Sequence, residues 1–330
     1  DIFAKPVPVQ HSEAFPDRIA YLLYPLLVVA YAALYAPWGI NETDGGFLTG
    51  LAWQVLQGKA LYTEVLYVRP PLPVWLRAAE LQLLPEQWAV LGERWIFYAK
   101  IGIYVWLGAS VLQQGRERLV LAFFGFVLCV HCYPPMTWHT IDGILFAVTA
   151  LWCAQRAFEG PGRRFSAFAS GLGIGAAILC KQSFYPLVLL IVLLPFPGRF
   201  ARFLCAAGLS TVLLAFAGWL MATHASDRYV QLTFGAAESG QALQHGVLDY
   251  FRIQPLLLLA TGGVAATLFW AERIAVGGWM RRLLPVAPQG ASLLRCLAWR
   301  GWLLVLAATY GWAVLQRRDF TPPFSQIRLL

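Results

Sequence analysis

Charge is what this sequence has least of. Asp, Glu, Lys and Arg together make up 13% of its 330 residues, against about 25% in a soluble domain. No long polar block interrupts the chain, so a separate soluble domain is not expected. Strand-like alternation is also scarce. No run of Lys or Arg reaches the length of a basic arm. That removes the nucleic-acid partner which a net charge of +8 would otherwise invite. The six cysteines, Cys129, Cys132, Cys153, Cys180, Cys205 and Cys296, lie mostly inside apolar runs. There they behave as small apolar residues, and no disulfide framework is implied. A "DxD" motif, which would hold a nucleotide sugar through a metal, is missing too.

What is present is apolar sequence. Hydrophobic residues make up 59% of the chain and mean hydropathy is +0.60. This is the composition of an all-α polytopic membrane protein, because backbone polar groups in lipid must be satisfied within the segment. Requiring roughly 20 apolar residues per crossing, about nine spans are expected. They cover 19–38, 94–113, 119–133, 141–157, 166–180, 182–197, 202–222, 253–271 and 301–316. The whole of 1–330 reads as one transmembrane domain. The final "SQIRLL" reads as the start of another apolar run, with more chain expected beyond it.

Sidedness follows from the bases. With the N-terminal segment 1–18 inside, the inner segments hold 14 of the 25 Lys and Arg and 6 of the 17 acids. This bias fits the positive-inside rule. The first loop, 39–93, and the loop 223–252 then lie outside, in the periplasm, cell exterior or an organelle lumen, with a bacterial inner membrane the expected location. Within the first loop, "FLTGLAWQVLQG" has Phe47, Leu48, Leu51, Ala52, Val55 and Leu56 at helical spacing, with Thr49, Gln54 and Gln57 opposite. It reads as an interfacial amphipathic helix. "RPPLPVWLRAAELQLL" reads as a second one, begun by a rigid Pro pair.

Ionisable groups near membrane depth are costly and so are candidates for function. Asp44, Arg69, Asp142 and Lys181 qualify, all on the outer side. Each also has a plain structural role open to it. Asp44 and Asp142 can cap helices; Arg69 and Lys181 can anchor at the lipid interface. "CVHCYPPMTWH" offers Cys129, His131, Cys132 and His139, but lacks the second half of a zinc motif. The loop 223–252 can cover a site or bind an acceptor, or serve only as a solvated connector.

The order acidic residue–Gly, amphipathic helix, then basic–Pro–Pro–Leu is carried here by Asp44-Gly45-Gly46, Gln57-Gly58, Tyr62 and Arg69-Pro70-Pro71-Leu72. It resembles the first outer loop of the GT-C membrane glycosyltransferases. The likeness is greatest to the protein O-mannosyltransferase and aminoarabinose-transferase group, whose members use polyprenyl-phosphate-linked sugars. Asp142 and Lys181-Gln182 resemble two later elements of that group, and the likeness covers roughly residues 20–220. The resemblance implies a GT-C type bundle that moves a sugar from a polyprenyl-phosphate donor to a lipid, glycan or protein hydroxyl. It implies Asp44 as general base and Arg69 and Lys181 as donor-phosphate ligands. Glu42, Asp142, His139, Gln182 and Tyr62 would shape the substrate site. Two departures stand out. The group often has two adjacent acids at the first position, where here Glu42 precedes Asp44 by two residues. Its basic residue before Pro-Pro is often Lys, here Arg. A divalent metal is left open, since the adjacent acid that would share it is missing.

Two other functions compete. A transporter would place ionisable residues through the midplane of two related halves; no internal repeat is found. A non-catalytic GT-C-like subunit of a larger complex would have a degraded site, whereas Asp44, Arg69, Asp142 and Lys181 are all present.

Overall fold

The structure is a computed structural model. It describes residues 14–38, 44–112, 115–133, 135–136, 138–159, 162–193, 196 and 198–234. The expected spans at 253–271 and 301–316, the segment 235–252 and Glu42 lie outside the described residues. Among the described residues the protein is all-helical, with no strand. Two helical stretches, Glu86–Leu112 and Arg199–Ala222, are long and apolar enough to cross a membrane.

The helices are α1 (Ala14–Tyr35), α2 (Asp44–Leu56), α3 (Leu72–Leu83), α4 (Ala89–Leu112), α5 (Gly115–Cys132), α6 (His139–Glu159), α7 (Arg163–Ile178), α8 (Leu190–Leu193), α9 (Arg199–Ala222) and α10 (Ser226–Phe234). The two amphipathic helices expected in the first loop are α2 and α3. The long helices fall within several residues of the expected spans, with one exception. Instead of one α-helix over 182–197, residues Gln182–Leu189 form a 3-10 helix, followed by the single turn of α8. Pro186 sits inside this stretch and supplies no backbone N–H, so a regular α-helix is interrupted there.

Side-chain pairings fix the direction of each long helix. Tyr24 meets Gly102 and Arg94 meets Ala36, so α1 and α4 are antiparallel. Arg118 lies on Tyr21 while His131 bonds Tyr31, so α5 runs with α1. Lys100 pairs with Asp142 and Gly108 approaches Val148, so α6 runs with α4. Gly171 lies against Cys205 and Leu209, and Gly175 against Val212, so α7 and α9 are parallel. Parallel neighbours require that the chain between them, 179–198, return the full height of the bundle. The 3-10 stretch is part of that return. It advances about 2.0 Å per residue against 1.5 Å for α-helix.

Glycines set the closest contacts. A Cβ on Gly171 would lie 1.9 Å from the Cys205 carbonyl oxygen, and one on Gly208 would lie 2.2 Å from that of Phe168. Backbones can approach this closely only where side chains are absent, the usual device of helix packing in lipid. The flanks carry the opposite pattern. Leu22, Leu26, Leu34, Phe124, Phe203, Leu214 and Met221 are all more than half exposed. An apolar exterior of this kind is costly in water and natural in a bilayer.

The end where α1 finishes is called the upper end here. It gathers α2, α3, α10 and the segments around Arg69 and Lys181. The lower end carries Arg118, Arg156 and Arg164, each laid over an aromatic ring 4.8–5.3 Å away.

Candidate functional site at the upper end

The first loop is built to hold Arg69 in place. Tyr62 is fully buried and adopts φ of 76°, a left-handed conformation that costs a non-glycine residue roughly 1–2 kcal/mol. Local contacts over-determine it. The Tyr62 amide donates to Val65 O at 2.8 Å. Its ring lies 5.1 Å from that of Tyr229 and 6.2 Å from Trp219. Its hydroxyl donates to Arg69 O at 2.8 Å. Arg69 is then bracketed from the other side. Gln182 Nε2 donates to Val68 O at 2.7 Å, and the Leu72 amide donates to Leu179 O at 3.1 Å. These two bonds lay the 68–72 segment along the 179–182 turn. Arg69 and Lys181 are brought together as a result, although 112 positions separate them.

The pair is short of negative charge. Among the described residues neither Arg69 nor Lys181 is within ion-pair distance of a carboxylate. The Arg69 guanidinium lies 5.2 Å from the Trp138 ring centroid, and Lys181 Nζ donates to Thr140 Oγ1 at 3.2 Å. Partial burial, then the charge of Arg69, lowers the Lys181 pKa. His139 is fully buried next to them, and neither ring nitrogen has a hydrogen-bond partner. Burial, followed by the charges of Arg69 and Lys181, pushes His139 down to about 2; the ring is neutral. The Tyr67 hydroxyl is also buried without a partner. Burial raises its pKa, with Arg69 opposing. Two cations and two orphaned polar groups therefore meet in one place. Unpaired buried polar groups are rare and call for a reason. An anion supplied from outside the chain would satisfy the cations and accept from these donors.

Beside this lies a network of ion pairs that joins Asp142 to four charges the sequence did not single out. Lys100 Nζ sits 2.7 Å from Asp142 Oδ1 and 2.7 Å from Glu80 Oε1. Arg77 sits 3.2 Å from Glu80 Oε2 and 3.0 Å from Glu93 Oε2, and its Nε donates to Thr49 Oγ1 at 3.1 Å. The chain Asp142–Lys100–Glu80–Arg77–Glu93 ties α6, α4 and α3 together and reaches α2 through Thr49. Arg77 is 1% exposed, so α3 turns this charge into the protein, and Thr49, on the polar stripe of α2, meets it there. Helix α2 turns Phe47 and Trp53 outward, each 52% exposed. Lys100 was discoverable, as a charge in the middle of an apolar run. Arg77 and Glu80 were not, because i, i+3 charges look alike on a wet face and a buried one.

The placement of the remaining expected residues is uneven. Asp142 is 1% exposed and enclosed by the network, so its carboxylate faces Lys100 and not an open site. Asp44 opens α2; its side chain is outside the described residues. The next residue, Gly45, approaches Met136 and Glu93, with its absent Cβ at 3.3 Å and 3.6 Å from them. The start of α2 therefore lies against the segment that leads into His139. The loop after α9 folds back as α10, and Tyr229 packs on Tyr62 and Phe216 at 5.1 Å each. Of the Cys/His run, His131 instead bonds Tyr31 at 2.7 Å. No group of three metal-ligating side chains is found among the described residues.

Compared with family models, curated proteins and solved structures, the chain matches none of them.

Proposed function

We propose that this protein is a membrane glycosyltransferase of GT-C type, built on a bundle of about nine spans. It moves a sugar from a polyprenyl-phosphate donor to an acceptor hydroxyl on the outer face of a bacterial inner membrane. The observation that carries the proposal is the Arg69–Lys181 pair, without a carboxylate partner among the described residues and beside the unpartnered His139 ring and Tyr67 hydroxyl. Such a cradle suits the phosphate of a lipid-linked donor. The apolar exterior of the bundle suits delivery of that donor from the bilayer.

The chemistry is a single displacement. The Asp44 carboxylate takes the proton of the acceptor hydroxyl. The acceptor oxygen forms a bond to the anomeric carbon as the bond from that carbon to the phosphate oxygen breaks. The electron pair leaves on the polyprenyl phosphate, whose charge Arg69 and Lys181 stabilise. Tyr62 holds the Arg69 carbonyl and Gln182 that of Val68 before it, so both act through Arg69, and α10 covers the first loop.

One observation favours a second reading. The enclosed Asp142, ion-paired to Lys100, also suits a non-catalytic subunit that keeps the bundle as a scaffold. The deciding experiment is sugar transfer from polyprenyl-phosphate donors by purified protein in nanodiscs, wild type against Asp44→Asn. Asn keeps the size and the capping ability but cannot take a proton. Transfer that falls a hundredfold or more, roughly the worth of a general base, supports the transferase. Unchanged transfer removes Asp44 from the site. No transfer from any donor, together with stable binding of a membrane partner, supports the scaffold.

A further inference from the structure

A crevice of about 320 Å³ runs between α1 and α4 on the lower half of the bundle, away from the site above. Its walls include Tyr21, Tyr24, Val28, Gly102, Ile103 and Trp106. Tyr21, Val29 and Ile103 are each a little over half exposed, so the crevice opens on the flank of the protein. The polar tip of Tyr24 is already used, donating to Gly102 O at 2.9 Å. The floor therefore offers an occupant only carbon to touch. Along α1 the crevice spans Tyr21 to Val29, about 12 Å of helix.

A charge stands at its lower rim. The Arg118 guanidinium lies 5.0 Å from the Tyr21 ring centroid and 4.8 Å from that of Trp106, and it donates to Tyr21 Oη at 3.3 Å. Tyr21 and Trp106 are also walls of the crevice. A cation is thus fixed at the mouth of an apolar slot by the residues that line it. Leu22 and Leu26, also on α1, are apolar and more than half exposed.

We propose that this crevice binds an anionic phospholipid, one acyl chain between α1 and α4 and the phosphate on Arg118. The apolar slot selects a hydrocarbon chain. A guanidinium can grip a phosphate through two parallel hydrogen bonds, and basic residues at helix ends favour anionic head groups. The lipid is one of the bulk bilayer and not the sugar donor. The donor cations Arg69 and Lys181 belong to the upper end. Arg94, near that end, is itself about 18 Å along α4 from Trp106. The proposal rests on a membrane location and not on the transferase reading.

The test uses the full chain, delipidated in detergent and titrated with phosphatidylglycerol or phosphatidylcholine carrying the same dibrominated acyl chains. Bromine quenches nearby tryptophan. The chain has 14 tryptophans, so the signal of Trp106 is isolated by subtracting the Trp106→Phe protein. The Trp106 component is expected to quench saturably, with phosphatidylglycerol binding about fivefold tighter than phosphatidylcholine. Arg118→Gln should erase the preference, while Arg118→Lys, which keeps the charge but not the two-pronged grip, keeps part of it. Val29→Phe, which fills the slot, should remove the quenching by both lipids. Equal affinity for the two lipids in wild type overturns the proposal without reference to any variant. So does a brominated polyprenyl phosphate that displaces phosphatidylglycerol in an Arg118-dependent way, which would give the crevice to the donor.

Discussion

Lys100 Nζ lies 2.7 Å from Asp142 Oδ1, which joins α4 to α6 by a direct ion pair in the buried interior. The same ammonium holds Glu80 of α3 at the same distance. One cation therefore fixes the angle between two bundle helices and the helix that carries Arg77. The start of α2 is reached from the far end of the same network, through Glu93 and Thr49. Any movement of α2, and of Asp44 with it, has to work against this set of charges.

Removing that cation should be severe. Lys100→Met leaves Asp142 and Glu80 buried without it, a change that typically costs 3–5 kcal/mol. The double variant Lys100→Met, Asp142→Leu should recover part of that loss, because no unpaired carboxylate then remains at α6. Thermal unfolding of both proteins in the same detergent measures this. Equal melting temperatures for the single and double variants would mean that the Asp142 carboxylate, left without Lys100, costs no stability.

Arg69→Ala and Lys181→Ala should each raise the KM for a polyprenyl-phosphate sugar by about tenfold to a hundredfold. That corresponds to losing one hydrogen bond to a charged group. Inorganic phosphate and pyrophosphate should protect wild type from inhibition by a donor analogue, and should protect neither variant. A kcat that falls while KM stays constant would place these cations in the transition state alone.

Glycine positions separate packing from propensity. Gly171→Ala puts a methyl group 1.9 Å from a backbone oxygen of α9. Helices must separate to admit it, and overpacking of this kind costs about 1–3 kcal/mol. Gly218→Ala, also in a helix but with no atom within 4 Å of the new Cβ, should be neutral or stabilising by up to about 1 kcal/mol. Melting temperatures of the two proteins, each against wild type, give the sign.

Acid should act through His139. Its folded pKa is depressed to about 2, below the ordinary 6.5, so the unfolded chain binds the proton more readily. The native state is unpenalised above pH 6.5. It loses stability as pH falls below that value, by up to about 1.4 kcal/mol per pH unit from this group. His139→Gln, which cannot take the proton, should flatten the fall in melting temperature between pH 6.5 and pH 4.5. Identical pH profiles would show that the ring gains a partner when protonated.

Tyr62→Phe removes only the hydroxyl that bonds Arg69 O. It should cost about 1 kcal/mol of stability and reduce transfer through a looser Arg69. An added Tyr62→Phe change should have little further effect in an Arg69→Ala background. Independent effects of the two substitutions on transfer would detach Tyr62 from Arg69.

Several features were legible in the sequence alone. The helical class, the approximate bounds of α1, α4, α6, α7 and α9, and the two helices of the first loop all follow from apolar run length and helical spacing, which are local properties. Arg69, Lys181 and Asp142 were legible as candidates because a charge beside a long apolar run is conspicuous wherever the chain goes. Tertiary structure alone decided who meets whom. Whether Arg77 and Glu80 face water or the interior cannot be read from i, i+3 spacing, because both faces of a helix share it. Likewise, Lys181 and Arg69 become neighbours only through two bonds between distant segments, Gln182 to Val68 and Leu72 to Leu179. The interruption at 182–197 has the same origin. The parallel packing of α7 on α9, set by Gly171, Gly175 and Gly208, obliges the intervening chain to return the height of the bundle, and Pro186 allows it to do so without a regular α-helix. Composition set the helices; close backbone contact and charge pairing set their arrangement.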